Sequence, residues 1–248
     1  MCCFSGKVDS VTNTNIFARA VKGGNQFLVY SMQFKAGNDL AMILPIPTPK
    51  DSKEDAVKFI NLEKYENFFE DLHKTFPTLK SEPGRPGSKV PSQKPIVVVE
   101  VGKFVASFVP SLKDFSRLDK LFRLDDGVWE KLPRYKEFGF AVFKLKKPEK
   151  GEQKVHPMVF EFPRFDNDIL FFPTVHIHDG SVPAKAGFDH TLYCQVTSDP
   201  PLNWEESPGL AETSVKVKET QGIVDANSHV YRKIMKGEFD NKDVGVKA

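Results

Sequence analysis

The sequence predicts an α+β fold, mostly antiparallel β-sheet with two or three helices inserted between strands. Two features carry this reading. Short β-rich runs, punctuated by glycine and asparagine, fill the first 50 residues and recur through the middle of the chain. Two intervening stretches change to a helical period. Nothing in the chain repeats. At 248 residues it is long enough for a substantial core. It reads as a single domain over 1–248, or as two β-rich lobes divided by a proline-rich loop at 77–95.

"TNIFARAV", "QFLVYSMQF" and "DLAMILPIP" are the first three strands, separated by Gly23-Gly24 and Gly37-Asn38. The Gly-Gly-Asn stretch suits a hairpin turn. Pro45 and Pro47 mark an edge strand running into a turn. In "LEKYENFFEDLHKTFP", Tyr65, Phe68, Phe69, Leu72 and Phe76 share one helical face, with Asn61 as N-cap and Pro77 as stop. Residues 77–95 carry five prolines and two glycines and read as a mobile loop. "IVVVEVGKFVASFVP" forms two strands around Gly102. "SLKDFSRLDKLF" is a helix capped by Ser111, with Leu112, Phe115, Leu118 and Phe122 on one face. A short helix around Trp129 leads to the strand "EFGFAVFKLK"; "VHPMVFEFP", "ILFFPTVHIH" and "HTLYCQVT" follow. The last 50 residues are polar and ambiguous. The 22 phenylalanines, against 5 tyrosines and 2 tryptophans, point to a core, or two, packed on aromatic rings.

Apolar content of 40% and charge of 27% are ordinary for a soluble globular protein. A net charge of +2 gives no reason to expect a nucleic-acid or membrane partner. No apolar run approaches the ~20 residues of a membrane span. "MCCFSGKVDS" has no basic region followed by an apolar one, so no signal peptide is expected and the cytoplasm is the expected location. Cys2, Cys3 and Cys194 are too few for a disulfide framework.

The chemistry concentrates in "FFPTVHIHDG" and "GFDHTLYCQV", which place three of the six histidines within 15 positions. Residues i and i+2 of a strand share a face, so His176 and His178 point the same way. If 169–178 and 188–197 form an antiparallel hairpin with His176 opposite His190, three imidazoles converge on one face. Opposed residues lie about 4.5–5.5 Å apart, close enough to share an ion. That register sets Leu170 against Val196, Phe172 against Cys194 and Thr174 against Leu192, a largely apolar surround. A one-residue slip would instead turn Ile169, Phe171, Val175 and Ile177 to the core and leave His176 and His178 on a solvated face. Pro173, as an edge or bulge residue, leaves both registers open. Three imidazoles suit zinc or copper ahead of iron, whose facial triad includes a carboxylate. Cys194, roughly 13 Å along the strand from His190, is a small buried hydrophobe and no ligand. Asp179 and Asp189 could orient an imidazole. His73 lies at the surface beside the aromatic stripe; His156 and His229 have no partner legible in the sequence.

Excision of Met1 would give Cys2 a free α-amino group beside its thiol. That is the arrangement of an N-terminal nucleophile, and equally of an N,S metal chelate, with Cys3 next to it. The start resembles N-terminal-cysteine hydrolases, which pair Met-Cys with a downstream Arg-Asn; here Arg19 in "NIFARAV" is followed by no asparagine. "MCCFSG", the Phe17 strand, Tyr30 and "ILPIP" at 43–47 resemble an uncharacterised bacterial domain family with a mature N-terminal cysteine and a Leu-Pro-x-Pro strand end. "EFGFAVFKLK" and "FFPTVHIHDG" are compatible with it. The resemblance covers about half of the chain and implies no known activity, only that Cys2 is the mature first residue; Cys3 stands where that family has glycine.

The leading expectation is therefore a cytoplasmic metalloprotein, whether or not an enzyme, with His176, His178 and His190 as ligands, Cys2 and Cys3 available to the same ion, and a small-molecule or peptide substrate. The alternatives are an N-terminal-cysteine hydrolase with Cys2 as catalytic residue, and a non-catalytic β-rich binding module.

Overall fold

Many of the strands are apolar on both faces, and the architecture follows from burying both. The computed structural model describes residues 3–77, 99–101, 104–124, 126–148, 151, 153–178 and 180–248. Its strands are β1 (Cys3–Phe4), β2 (Ser10–Val21), β3 (Asn25–Lys35), β4 (Leu40–Ile46), β5 (Lys58–Asn61), β6 (Val99–Val101), β7 (Phe104–Val109), β8 (Gly139–Leu145), β9 (Gln153–Lys154), β10 (Met158–Pro163), β11 (Ile169–Phe172), β12 (Lys185–Gln195), β13 (Glu205–Leu210), β14 (His229–Asp240) and β15 (Val244–Lys247). One sheet has the order β1-β4-β8-β7-β6. The larger runs β13-β14-β12-β2-β3-β10-β5 with β9 beside β3, and β11 pairs with β15. The named ladders are antiparallel except β2 with β12. The chain is mostly antiparallel β with few helices, as its sequence predicts.

The period of two sorts side chains into layers. On β4, Leu40, Met42, Leu44 and Ile46 enter a central core between the sheets, with Leu28, Tyr30 and Phe34 of β3, Phe143 of β8 and Phe160 and Phe162 of β10. Ala41 and Ile43 turn the other way, onto Phe115, Trp129, Leu132 and Tyr135. The opposite face of the larger sheet, with Phe17, Val29, Val159 and Tyr193, is covered by helix α1 (Phe68–Lys74) and by residues from 211 to 224. Phenylalanines therefore supply three apolar layers, more than the one or two expected.

The aromatic stripe of 61–76 is fully buried, but its helix is shorter than the period suggests. Asn61 Oδ1 accepts from the Glu63 N–H at 2.8 Å, starting a 3-10 turn over Glu63–Tyr65, and α1 begins only at Phe68. Residues 112–122 form two 3-10 segments in place of one helix. The Ser111 hydroxyl donates to Asp114 Oδ2 at 2.7 Å and caps no backbone N–H. Leu118 is extended, and Asp119 caps the second turn through the Leu121 N–H. The short helix at Trp129 forms as α2 (Asp126–Glu130). Pro45 is paired to Phe140 of β8, at a position beyond the reach of the two-residue β1, so its missing N–H costs no ladder bond. The turn between β2 and β3 uses positive φ at Gly23 and Gly24, 88° and 82°.

The hairpin between 169–178 and 188–197 does not form. β11 stops at Phe172 and pairs with β15, while β12 lies between β14 and β2. Pro173, with no N–H to donate, ends the strand. The proline-rich loop at 77–95 falls, after Pro77, outside the described residues. Strands on both sides of it share the two sheets: β4 pairs β8, β3 pairs β10, and β2 pairs β12.

Gly139 tests the packing where the central layer closes. An added Cβ would lie 2.5 Å from the Phe108 ring and 2.7 Å from Thr48 Oγ1. We expect Gly139→Ala to destabilise the fold by about 1–3 kcal/mol in urea denaturation with the unfolding slope unchanged.

Candidate functional site

His190 sits at the centre of β12, opposite Thr14 of β2 and Met235 of β14. Its neighbours on the same face, Phe188, Leu192 and Cys194, belong to the central core. The imidazole is thus carried into an apolar layer by ordinary strand alternation, and the residue is 1% exposed. His176 arrives from the irregular segment after β11 and is 7% exposed. The His176 ring centroid is 5.0 Å from that of His190 and 5.4 Å from that of His178. Phe188 lies against both buried rings, at 4.3 and 5.0 Å, and Phe4 meets His178 at 5.7 Å. The three histidines singled out in the sequence are gathered, though not by a hairpin.

Side chains rather than a ladder hold the segment that carries His176. Asn241 Oδ1 accepts from the His176 N–H at 2.7 Å, and its amide donates to the His176 carbonyl at 3.0 Å and the Pro183 carbonyl at 2.9 Å. Asp243 Oδ1 accepts from the N–H groups of Thr174 and Val175 at 2.9 and 3.2 Å. Its Oδ2 accepts from the buried Tyr135 hydroxyl at 2.6 Å. The Thr174 hydroxyl donates to the Lys242 carbonyl. Asn241, Asp243 and Tyr135 were not legible as site residues. "NKDV" reads as a polar turn, and no local signal says that its side chains reach back some 65 residues.

The ring nitrogens are the unusual feature. His176 Nε2 and both nitrogens of His190 are buried without a hydrogen-bond partner. Burial, reinforced by the neighbouring imidazoles, holds His176 down to about 2 and His190 well below the ordinary value. Both rings are neutral near pH 7. Among the described residues, no group of three or more His, Cys, Asp or Glu side chains is arranged to hold a metal ion as the rings stand.

The other expected site residues fall as follows. Cys2 and Asp179 lie outside the described residues. Cys3 pairs with Ile177 in a parallel bridge, and the Phe4 N–H donates to the Ile177 carbonyl at 3.1 Å, so the start of the chain runs beside the histidine segment. The Cys3 side chain packs with Val175, Ile177 and Tyr135, in a different layer from the one His190 enters. Asp189, a candidate to orient an imidazole, accepts from the Asn13 N–H at 2.7 Å and faces Lys236. That contact fixes a bulge in β2 between Thr12 and Asn15, where Asn13 has φ 49°. Cys194 is buried in the central core and its thiol is pushed up by burial, as a small hydrophobe would be. His73 is exposed, with Nδ1 3.4 Å from the Tyr193 hydroxyl. Among the described residues no helix is long and apolar enough to cross a membrane.

No family model matches the sequence, and no curated protein matches it. Two solved structures of baculovirus P35 share its fold. One aligns with a TM-score of 0.51 at 14% identity, covering 100% of this chain and 99% of that one. The other, a mutated baculovirus P35 after caspase cleavage, also has a TM-score of 0.51, at 16% identity, covering 96% of this chain and 100% of that one.

Two outcomes follow from the site. Asn241→Ala removes the partners of both backbone groups of His176 and should cost about 1–3 kcal/mol in urea denaturation. Its acid response carries a definite sign. The native values of His176 and His190 lie below the free-imidazole 6.5, so the unfolded chain takes up protons first. Their contribution is complete above about pH 6.5 and is lost as pH falls below it. With chelator present, the unfolding midpoint should fall between about pH 7 and about pH 5, and less steeply in a His176→Gln variant.

Proposed function

We propose that this chain is a non-catalytic β-rich binding protein whose partner is a protease. The observation that carries the reading is the end-to-end correspondence with baculovirus P35, one of whose solved structures is of a mutated form after caspase cleavage. The structure determined after cleavage aligns over 96% of this chain with a TM-score of 0.51, so the likeness includes a scaffold that cutting leaves standing.

The topology of this chain suits such a role. A protein that is cut while it engages a protease must not fall apart at the cut. Here, strands preceding 78–98 are interleaved with strands that follow it: β4 with β8, β3 and β5 with β10, and β2 with β12. A break in the proline-rich stretch between 78 and 95 would leave two pieces joined by these four ladders, by that of β3 with β9, and by the central apolar layer. Separating them would expose that layer to water, at about 25 cal/mol for each Å² of apolar surface. That exposure opposes dissociation of the pieces.

The experiment combines inhibition and chain integrity. The full-length protein is incubated with caspase-type cysteine proteases, and with serine proteases as a second class. Residual protease activity is measured, and the products are analysed by intact mass and size exclusion. The expected result is a stoichiometric loss of activity for at least one cysteine protease, with both fragments of the cut chain co-eluting with it. Turnover of the chain as an ordinary substrate, or no effect on any protease tested, would overturn the reading.

A further inference from the structure

We propose that His176, His178 and His190 together bind one late first-row transition-metal ion, either copper(I) held by the three nitrogens or zinc(II) completed by a water in the fourth position. The inference is independent of the protease reading: either can fail without the other.

Three observations converge. The first is the unpartnered nitrogen atoms. His190 is buried with neither ring nitrogen hydrogen-bonded, and His176 Nε2 is likewise alone. A buried polar atom left unsatisfied costs on the order of 1–3 kcal/mol, so three of them in one cluster require a reason. The second is spacing. An ion with Zn–N near 2.0–2.1 Å and tetrahedral angles separates the centroids of two imidazole ligands by roughly 5 Å. The observed separations are 5.0 Å for His176 and His190 and 5.4 Å for His176 and His178. The ring planes are tilted by 42° and 31° and do not present a common point as they stand. Turning an imidazole about its Cβ–Cγ bond barely moves the centroid, because the bond points almost through it. That torsion is broad, so aiming the nitrogens requires no shift of backbone.

The third observation is the donor chemistry. All three donors are imidazole nitrogens gathered in one cluster. Among the described residues, Asp189 is committed to Asn13 and Lys236. A neutral all-nitrogen set suits zinc or copper, whereas calcium and magnesium prefer oxygen. Phe188 and Phe4 lie against the rings and shield part of the place, while His178 is half-buried and leaves room for a water in the fourth position. Asn241 acts here as a positioning residue, because its amide fixes the backbone on either side of His176. Metal binding would thereby fasten the β14–β15 turn to the histidine segment.

The test uses the full-length chain produced without a polyhistidine tag. It is loaded with zinc, or anaerobically with copper(I), freed of loose ion, and measured for metal per chain and for thermal midpoint. Expected are one equivalent of metal, a midpoint that rises with metal concentration, and loss of both in His176→Ala and His190→Ala. His178→Ala and Asn241→Ala should weaken binding, the latter with the ligands intact, while His73→Ala and His229→Ala keep it. Should the alanine variants fail to fold, cobalt(II) added to the wild type gives the same answer, as tetrahedral nitrogen coordination produces intense visible absorption bands. A wild type that holds no more metal than a His176→Ala/His190→Ala double variant, or that shows no tetrahedral cobalt spectrum, overturns the proposal and leaves ordered water as the partner of these nitrogens.

Discussion

The rest of the structure depends on the apolar layer between the two sheets. Neither sheet can stand alone, because β3 and β4 are apolar on both faces, and each face needs its own cover. The sheets cover one another through Leu28, Tyr30, Met42, Leu44, Phe143 and Phe160. The outer faces are then covered by short helical segments. These are short because a few rings suffice: Phe68, Phe69 and Leu72 on one side, Phe115, Trp129 and Tyr135 on the other. A fully buried phenylalanine contributes about 1.5–3 kcal/mol, so a fold built from three such layers is insensitive to breaks in regular helix.

This explains what the sequence made legible. Most strands before residue 200 are visible as β-rich runs, since alternation and β-branched content are local properties. The stripe from Tyr65 to Phe76 is equally local, and all five residues are buried. What failed were inferences that required knowing which strand lies beside which. His176 and His190 were rightly placed near one another, but through a hairpin. In its place, β12 is flanked by β2 from the start of the chain and β14 from its end. Parallel pairing of β2 with β12 joins residues more than 170 positions apart, and no turn signal announces it. The last 50 residues illustrate the same limit. β14 carries a mixed pattern because only part of it meets a core, yet its ladder to β12 is among the longest in the molecule.

The site residues divide along the same line. Histidines stand out in a sequence because of their chemistry, wherever their partners lie. Asn241 and Asp243 look like turn residues, and they are; the Asn241 N–H also donates to the Ala184 carbonyl. Only the fold shows that the same turn stands over Thr174, Val175 and His176 and takes the place of a missing strand partner. Pro173 is the local cause. By ending β11 it leaves the next three residues with backbone groups that no ladder can satisfy, and buried groups of that kind must find partners. A two-residue device, Asn and Asp at alternate positions of one turn, satisfies them.

That device sets a constraint on how the molecule tolerates its polar interior. Asp243 is a half-buried carboxyl, and burial pushes its proton affinity up, while the Tyr135 hydroxyl and the Thr174 N–H oppose this by bonding the ionised form. A few ångströms of chain away, the imidazoles experience the same low-dielectric surroundings with the opposite sign: burial removes their charge. The two kinds of group are kept in separate layers. Tyr135 belongs with Cys3 and Ile177, whereas His190 shares its strand face with Phe188, Leu192 and Cys194 of the central core. The backbone from 174 to 177 is the partition, and its alternation sends Val175 and Ile177 to one side and His176 to the other. A carboxylate on the imidazole side would draw protons onto the rings and introduce paired charge into the central layer. Among the described residues the neighbours stacked on His176 and His190 are rings, and the sheets can meet across them as they meet across phenylalanine.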